Sequence, residues 1–303
     1  MDAPLRIAYV DGPRLRRSLV AACDHAQRQR GELNRINVFP VPDGDTGTNL
    51  ALTVRAISDH LRDNRDSGVA AVAREAAQAA VLGARGNCGM MLSHFLLGFA
   101  DALGERARIR SVDLSEALRA GVSSLYAAIE RPVEGTILTV MRETADAAEE
   151  SEARDLVTFF DQLLSRARSA LARTPDLLPV LRKAGVVDAG AKGFVSLLEG
   201  VVLFIHGDPL VSVGGRDGEV GAVESSSAWR RRSGEGRDSA ESVEASAVGP
   251  DTRAAAAALG FDESRERYRF CTEALVRGSG LPTREVVVER LRGRGDSLIV
   301  IRS

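Results

Sequence analysis

Lysine is almost missing from this chain of 303 residues. Lys183 and Lys192 are the only two, so 38 of its 40 basic residues are arginine. The scarcity excludes one phosphate-binding device at once. A Walker A loop ends in Gly-Lys followed by Ser or Thr, whereas Lys183 precedes Ala184 and Lys192 precedes Gly193. Aromatic residues are also few, at 4% with a single tryptophan, Trp229. A core poor in rings must be assembled from Ala, Leu and Val, which favours helices over sheets. Cysteine occurs three times, at Cys23, Cys88 and Cys271. An odd, widely spaced set implies no disulfide framework and fits a reducing cytoplasm. The opening MDAPLRIAYVDGPR lacks the apolar segment of a secretory signal. The most apolar stretch, residues 194–205, runs about twelve residues and contains Glu199. A bilayer span needs ~20 residues, so a buried core helix is expected there and no transmembrane segment. The net charge is −2, and no arginine run interleaves with aromatics, so nucleic acid is not an expected partner.

Helical periodicity, by contrast, is abundant. Asp11 stands as N-cap, with Pro13 in the first turn, of a helix whose Leu15, Leu19, Cys23 and Ala26 share a face. From Asp113, residues Leu114, Ala117, Leu118, Gly121, Val122, Leu125 and Ile129 follow the i, i+3, i+4, i+7 rule, and Leu156, Phe160, Leu163, Ala167 and Leu171 repeat it. Similar patterns cover about 48–64, 68–82, 88–103, 135–149 and 189–206. Eight or so helices with short glycine-containing joints imply an all-α bundle over residues 1–206. Residues 207–252 are rich in Gly, Ser, Glu and Arg without an apolar period, and a flexible linker is expected. RYRFCTEALV and DSLIVI read as strands flanking a helix in TREVVVERLRG, with Thr283 as its N-cap. Residues 253–303 are thus expected to form a small, incomplete α/β fragment.

The chemistry concentrates in NVFPVPDGDTGTNL, residues 37–50. Asp43 and Asp45, one residue apart on a glycine-containing turn, can point at one shared volume, where a hard divalent cation is the natural occupant. The helix that follows offers free N–H groups and a positive dipole end, which suit phosphate. On DGD alone, a solvated turn capping a helix is the competing reading. An EF-hand loop starting at Asp43 fails because Gly47 and Val54 stand where oxygen ligands are needed. A phosphatase-type Asp-x-Asp-x-Thr motif fails because Gly47 holds the fifth position and Pro40 and Pro42 interrupt the preceding segment. Three further joints repeat the theme of glycine before a helix: GARGNCG at 83–89, PVEGTILTV at 132–140 and VVDAGAKGF at 187–194. In an up-and-down bundle alternate joints share an end, so these four can gather around one nucleotide and its metal.

NVFPVPDGDTGTNL, GARGNCGMMLSHFLLGF, PVEGTILTVMRE and VVDAGAKGFVSLLEG, in this order, resemble the nucleotide-binding domain of the dihydroxyacetone kinase family. They are most similar to the ATP-binding subunit of bacterial fatty acid kinase, over about residues 5–206. The resemblance implies an eight-helix up-and-down barrel with Mg²⁺ and ATP or ADP at one rim. It makes Asp43 and Asp45 the metal-binding and catalytic carboxylates, with Asn37 the candidate third ligand. It places Thr46, Gly47, Thr48 and Asn49 against the nucleotide phosphates, and Gly86, Asn87, Cys88 and Gly89 in a second phosphate loop. Cys88 stands where that loop usually has Ser, and a thiol is the weaker donor. Thr136 and Asp188, Ala189 and Gly190 match segments near the base and ribose. The implied activity is phosphorylation of a fatty acid carboxylate, presented by a DegV-type fatty-acid-binding protein, to acyl phosphate. Dihydroxyacetone-type phosphotransfer and a non-catalytic nucleotide-binding module are the alternatives, and a homodimer remains open. RYRFCTEALV resembles the start of the subunit's middle domain; Cys271 matches its cysteine, but no His-x-His segment follows.

Overall fold

The structure, a computed structural model, describes residues 6–63, 68–207, 276, 278–292, 294 and 300. The expected linker and both expected C-terminal strands lie outside the described residues, apart from isolated positions. Eight long helices form the body: α1 (Gly12–Arg28), α3 (Thr46–Asp63), α4 (Val69–Gly83), α5 (Gly86–Leu103), α6 (Ser111–Ala128), α7 (Ile137–Glu150), α8 (Leu156–Ala172) and α11 (Ala189–His206). Their bounds follow the apolar periodicity closely, because each helix buries one stripe and starts where a cap or glycine joint permits. Asp11 caps α1 by accepting from the Arg14 amide, and Asp155 caps α8 in the same way through Thr158. Three short helices, α2 (Arg30–Arg35), α9 (Thr174–Leu177) and α10 (Pro179–Ala184), were not legible in the sequence. Four to six residues are too few to display a 3.6-residue period.

The long helices pack in sequence order, each against the next, and α11 returns to α1 to close the ring. This is the expected all-α barrel. Its interior is filled rather than hollow: Phe95 of α5 meets Phe194 of α11 edge to face, with centroids 6.1 Å apart. Small residues bring the helices together. In α4, Ala70, Ala73, Ala76, Ala77 and Ala80 are all buried. A β-carbon on Gly200 of α11 would lie 2.6 Å from the Ala22 Cα of α1, so the closing contact of the ring is nearly backbone on backbone. By length and composition alone helix α11 is long and apolar enough to cross a membrane, but half of it is buried inside the barrel.

One end of the barrel is laced shut by the N-terminal segment. The Ile7 amide donates to Asp155 at 2.7 Å, the Leu156 amide donates to the Ile7 carbonyl at 2.8 Å, and β1 (Val10–Asp11) pairs antiparallel with β2 (Arg108–Ile109). The opposite end carries the four glycine-containing joints: residues 36–45, 84–85, 129–136 and 173–188. Each contains or adjoins one glycine with left-handed backbone, at Gly44, Gly86, Gly135 and Gly185. Beyond the barrel, helix α12 (Arg284–Leu291) follows Thr283 as the sequence implies, although Thr283 makes no side-chain cap. Arg284 donates to the Ala127 and Ala128 carbonyls at the C-terminus of α6, 2.9 Å each.

Gly200→Ala should lower stability by about 1–3 kcal/mol, since overpacking a tight helix crossing forces backbone shifts. Urea unfolding checks this; an unchanged midpoint would mean that α1 and α11 do not close the ring so tightly.

Candidate functional site

The first joint is built around Asn37, which is 1% exposed. Its Nδ2 donates to the Val41 carbonyl at 2.7 Å and more weakly to Asp43 Oδ1 at 3.4 Å. Its Oδ1 accepts from both the amide and the hydroxyl of Thr46. One buried carboxamide therefore ties the turn carrying Asp43 to the first residue of α3. Gly44 supplies the positive φ of 68° that lets Asp43 and Asp45 flank it. Next along the helix, Thr48 is fixed from α2: its amide donates to Asn34 Oδ1 at 3.0 Å, and its hydroxyl accepts from Asn34 Nδ2 at 3.0 Å and Arg30 Nε at 3.2 Å. A side chain at Gly47 would lie 2.2 Å from the Arg30 carbonyl, so only glycine lets α2 and α3 meet here.

The two carboxylates crowd each other. The Asp45 amide donates to Asp43 Oδ1 at 3.4 Å. Asp43 is pushed up to about 6, first by burial and then by the charge and hydrogen bond of Asp45. No group of three or more His, Cys, Asp or Glu with metal-holding geometry occurs among the described residues. An acid pair without a third carboxylate suits Mg²⁺, which keeps water and phosphate ligands around one or two protein carboxylates. A ligand role for Asn37 would require its oxygen to leave Thr46.

The other joints converge on the same end. The Arg85 amide donates to Thr53 Oγ1 of α3 at 3.0 Å, and a β-carbon at Gly86 would lie 2.6 Å from Asn49 Nδ2. These contacts set the start of α5 beside the start of α3. Helix α5 has no side-chain cap, and no bond to another described residue occupies the Asn87 side chain. Cys88 is buried, and burial followed by the charge of Asp188 pushes its thiol up to about 12. A β-carbon at Gly190 would lie 3.5 Å from Ile137 Cβ and 3.7 Å from Cys88 Sγ, so the second, third and fourth joints touch. Thr136 caps α7, accepting from the Leu138 amide at 3.3 Å while donating to the Val133 carbonyl at 2.7 Å. Glu134 holds the third joint still by accepting from Tyr126, Thr139 and Arg142. Burial opposes that charge, but the hydrogen bonds from Thr139, Arg142 and Tyr126 keep it below the usual carboxylate range.

Every residue expected at the site thus lies in or beside these four joints: Asn37, Asp43, Asp45 and Thr46–Asn49; Gly86–Gly89; Thr136; Asp188–Gly190. Not anticipated were Arg30, Asn34, Thr53 and Glu134, which hold the joints in place. Asn34 lies on α2 and Asn37 just beyond its end.

The fold defines an all-α barrel domain in which four glycine-containing joints share one end. The chain belongs to the DAK2 domain family, whose sequence profile matches residues 40–203. An uncharacterised protein of Staphylococcus saprophyticus is 34% identical over 206 residues, covering 67% of this chain and 37% of that protein. An uncharacterised protein of Staphylococcus aureus strain RF122 is 33% identical over 204 residues, with the same coverage of 67% and 37%. The chain therefore spans a little over a third of the length of these relatives. In structure it is similar to the dihydroxyacetone kinase from C. freundii in complex with AMP-PNP and Mg²⁺, with TM-score 0.50, 16% identity, 67% of this chain and 36% of that one. That likeness establishes the shared fold.

Because the folded state raises Asp43 above its ordinary 3.8, this group's contribution to metal-free stability is fully present below about pH 4 and is lost as pH rises through about 6. Asp45→Asn removes the neighbouring charge. Discounted for partial exposure, it should stabilise the metal-free protein by about 0.5–1 kcal/mol near pH 8 and change little below pH 5. Urea melts at the two pH values test this; equal gains at both would contradict a like-charge contact.

Proposed function

We propose that this domain is the nucleotide-binding part of an ATP- and Mg²⁺-dependent phosphotransferase, acting in the cytoplasm. The observation that carries the reading is that Asp43 and Asp45 flank Gly44, with the Asp45 amide on Asp43 Oδ1, at a barrel end where the starts of α3 and α5 lie side by side. Two crowded carboxylates gain most from a divalent cation, and a helix start without a side-chain cap, as at α5, gains most from phosphate. When bound, Mg-ATP supplies a transferable γ-phosphoryl group whose charge the cation partly neutralises. Asp43 and Asp45 would hold the cation, while Asn37 keeps Asp43 in place from behind. Asn49, the Asn87 side chain and the amides of Asn87 and Cys88 would donate to phosphate oxygens. The backbone of Thr136 and of Asp188–Gly190 would face the ribose and base. Cys88 stays a neutral thiol, whose S–H is a weak donor.

The acceptor we propose is a fatty acid carboxylate presented by a separate DegV-type protein. One carboxylate oxygen would bond to the γ-phosphorus as the bond to the β-phosphate oxygen breaks, giving acyl phosphate and ADP. Two observations support presentation from outside. The barrel axis is filled by Phe95 and Phe194. Exposed apolar side chains sit on three of the joints, Val41 at 44%, Val133 at 38% and Leu177 at 49%, and Leu82 lies in the last turn before another. Apolar residues collected around a polar site are a common mark of a docking face. Dihydroxyacetone phosphorylation is the second reading, favoured by the kinase of like fold.

The double variant Asp43→Asn/Asp45→Asn should lose Mg²⁺-dependent ATP binding, with Kd rising roughly tenfold or more, while its helical content stays unchanged. Unaltered affinity in calorimetry would overturn the site. Hydroxylamine trapping of acyl phosphate, with ATP, Mg²⁺, a fatty acid and a DegV-type protein, separates the acceptors. Product from dihydroxyacetone instead would select the second reading, and nucleotide binding without any transfer would leave a non-catalytic module.

A further inference from the structure

The end of α6 is capped from far along the chain. The last carbonyls of a helix have no partner inside it. In α10 and α11 a left-handed glycine, Gly185 and Gly207, turns the backbone so that its own amide meets them. In α6 the chain instead leaves extended at Ile129, with φ −95° and ψ 127°, and the carbonyls are left to other donors. The Arg284 guanidinium supplies them. Its Nη2 donates to the Ala127 and Ala128 carbonyls at 2.9 Å each, across 157 and 156 residues of sequence. The charge matches as well, since a helix C-terminus carries the negative end of its dipole.

The same guanidinium holds the C-terminal segment together. Arg284 is the first residue of α12, and its Nε donates to the Val300 carbonyl at 3.2 Å. One planar fork thus joins three stretches of chain: the end of α6, the start of α12 and residue 300. Apolar packing adds little, because no residue of α12 is buried, and Val286 and Leu291 are exposed at 41% and 43%. The place matters. Ala128 is the last residue of α6, and the third glycine-containing joint starts at the next residue. In the same turn of α6, the Tyr126 hydroxyl donates to Glu134 of that joint at 3.0 Å. The last turn of α6 is therefore gripped by the joint and by the C-terminal segment at once.

We propose that the carbonyl end of α6 is a docking surface for the chain's own C-terminal segment, with Arg284 as the anchor. Docking seats α12 beside the third joint, at the barrel end that carries all four joints, and firms the turn from which that joint departs. The anchor is one cation on backbone carbonyls with little apolar area behind it, so the contact is reversible. Losing Arg284 frees the segment and leaves the barrel folded. Docking does not depend on what the joints bind, and it holds whether or not the nucleotide reading does.

Hydrogen–deuterium exchange on the full chain, wild type against Arg284→Ala, tests this. The amides of Val287 and Arg292, which bond to the Thr283 and Val288 carbonyls within α12, should exchange roughly tenfold or more faster in the variant, and so should those in the last turn of α6. If Arg284 served only the start of its own helix, α12 would quicken while α6 kept its wild-type rate, and that result overturns the docking. Wild-type rates at both places overturn it too. Acceleration spread evenly through the barrel would mean a global loss of stability and would overturn reversible docking. Arg284→Lys keeps the charge without the fork. It should recover part of the protection at α6 and less at α12; full protection at both would overturn the three-way anchor.

Discussion

Closure of the helical ring between α1 and α11 is the constraint on which the site depends. Gly200 lies so near Ala22 that the two helices meet almost backbone to backbone. With the ring closed, successive long helices alternate in direction, so every second joint must emerge at the same end. Four joints far apart in sequence become neighbours through this parity. Their residues need no affinity for one another; the packing of alanine- and leucine-rich walls delivers them.

At that end the polar chemistry divides into two kinds of charge arrangement. Asp43 and Asp45 are like charges pressed together, a situation that a cation would relieve. Asp188 is a single buried charge that caps its own helix, α11, through the Ala191 amide. The two differ in what surrounds the charge: a like charge one residue away for Asp43, and the backbone amide of Ala191 for Asp188.

Much of the fold was legible because its signals are local. Apolar residues at helical spacing marked the long helices, and the scarcity of aromatics pointed away from sheets. The acid pair and the glycine joints were equally visible, since each occupies a few consecutive residues. The short helices α2, α9 and α10 were missed for lack of length, and with α2 went Arg30 and Asn34, which hold Thr48. The resemblance made Asn37 the candidate third metal ligand, and in the structure its carboxamide bonds to Thr46, Val41 and Asp43.

By itself, then, the sequence determined which segments are helices, where glycine must bend the chain, and which two carboxylates stand one residue apart. These are properties of spacing along the chain, set by backbone sterics and the hydrophobic period. Only the tertiary structure decided that Asn49 lies against Gly86 and that Gly190 lies beside Cys88 and Ile137. Such contacts arise from the curvature and closure of the whole ring, which no local pattern encodes.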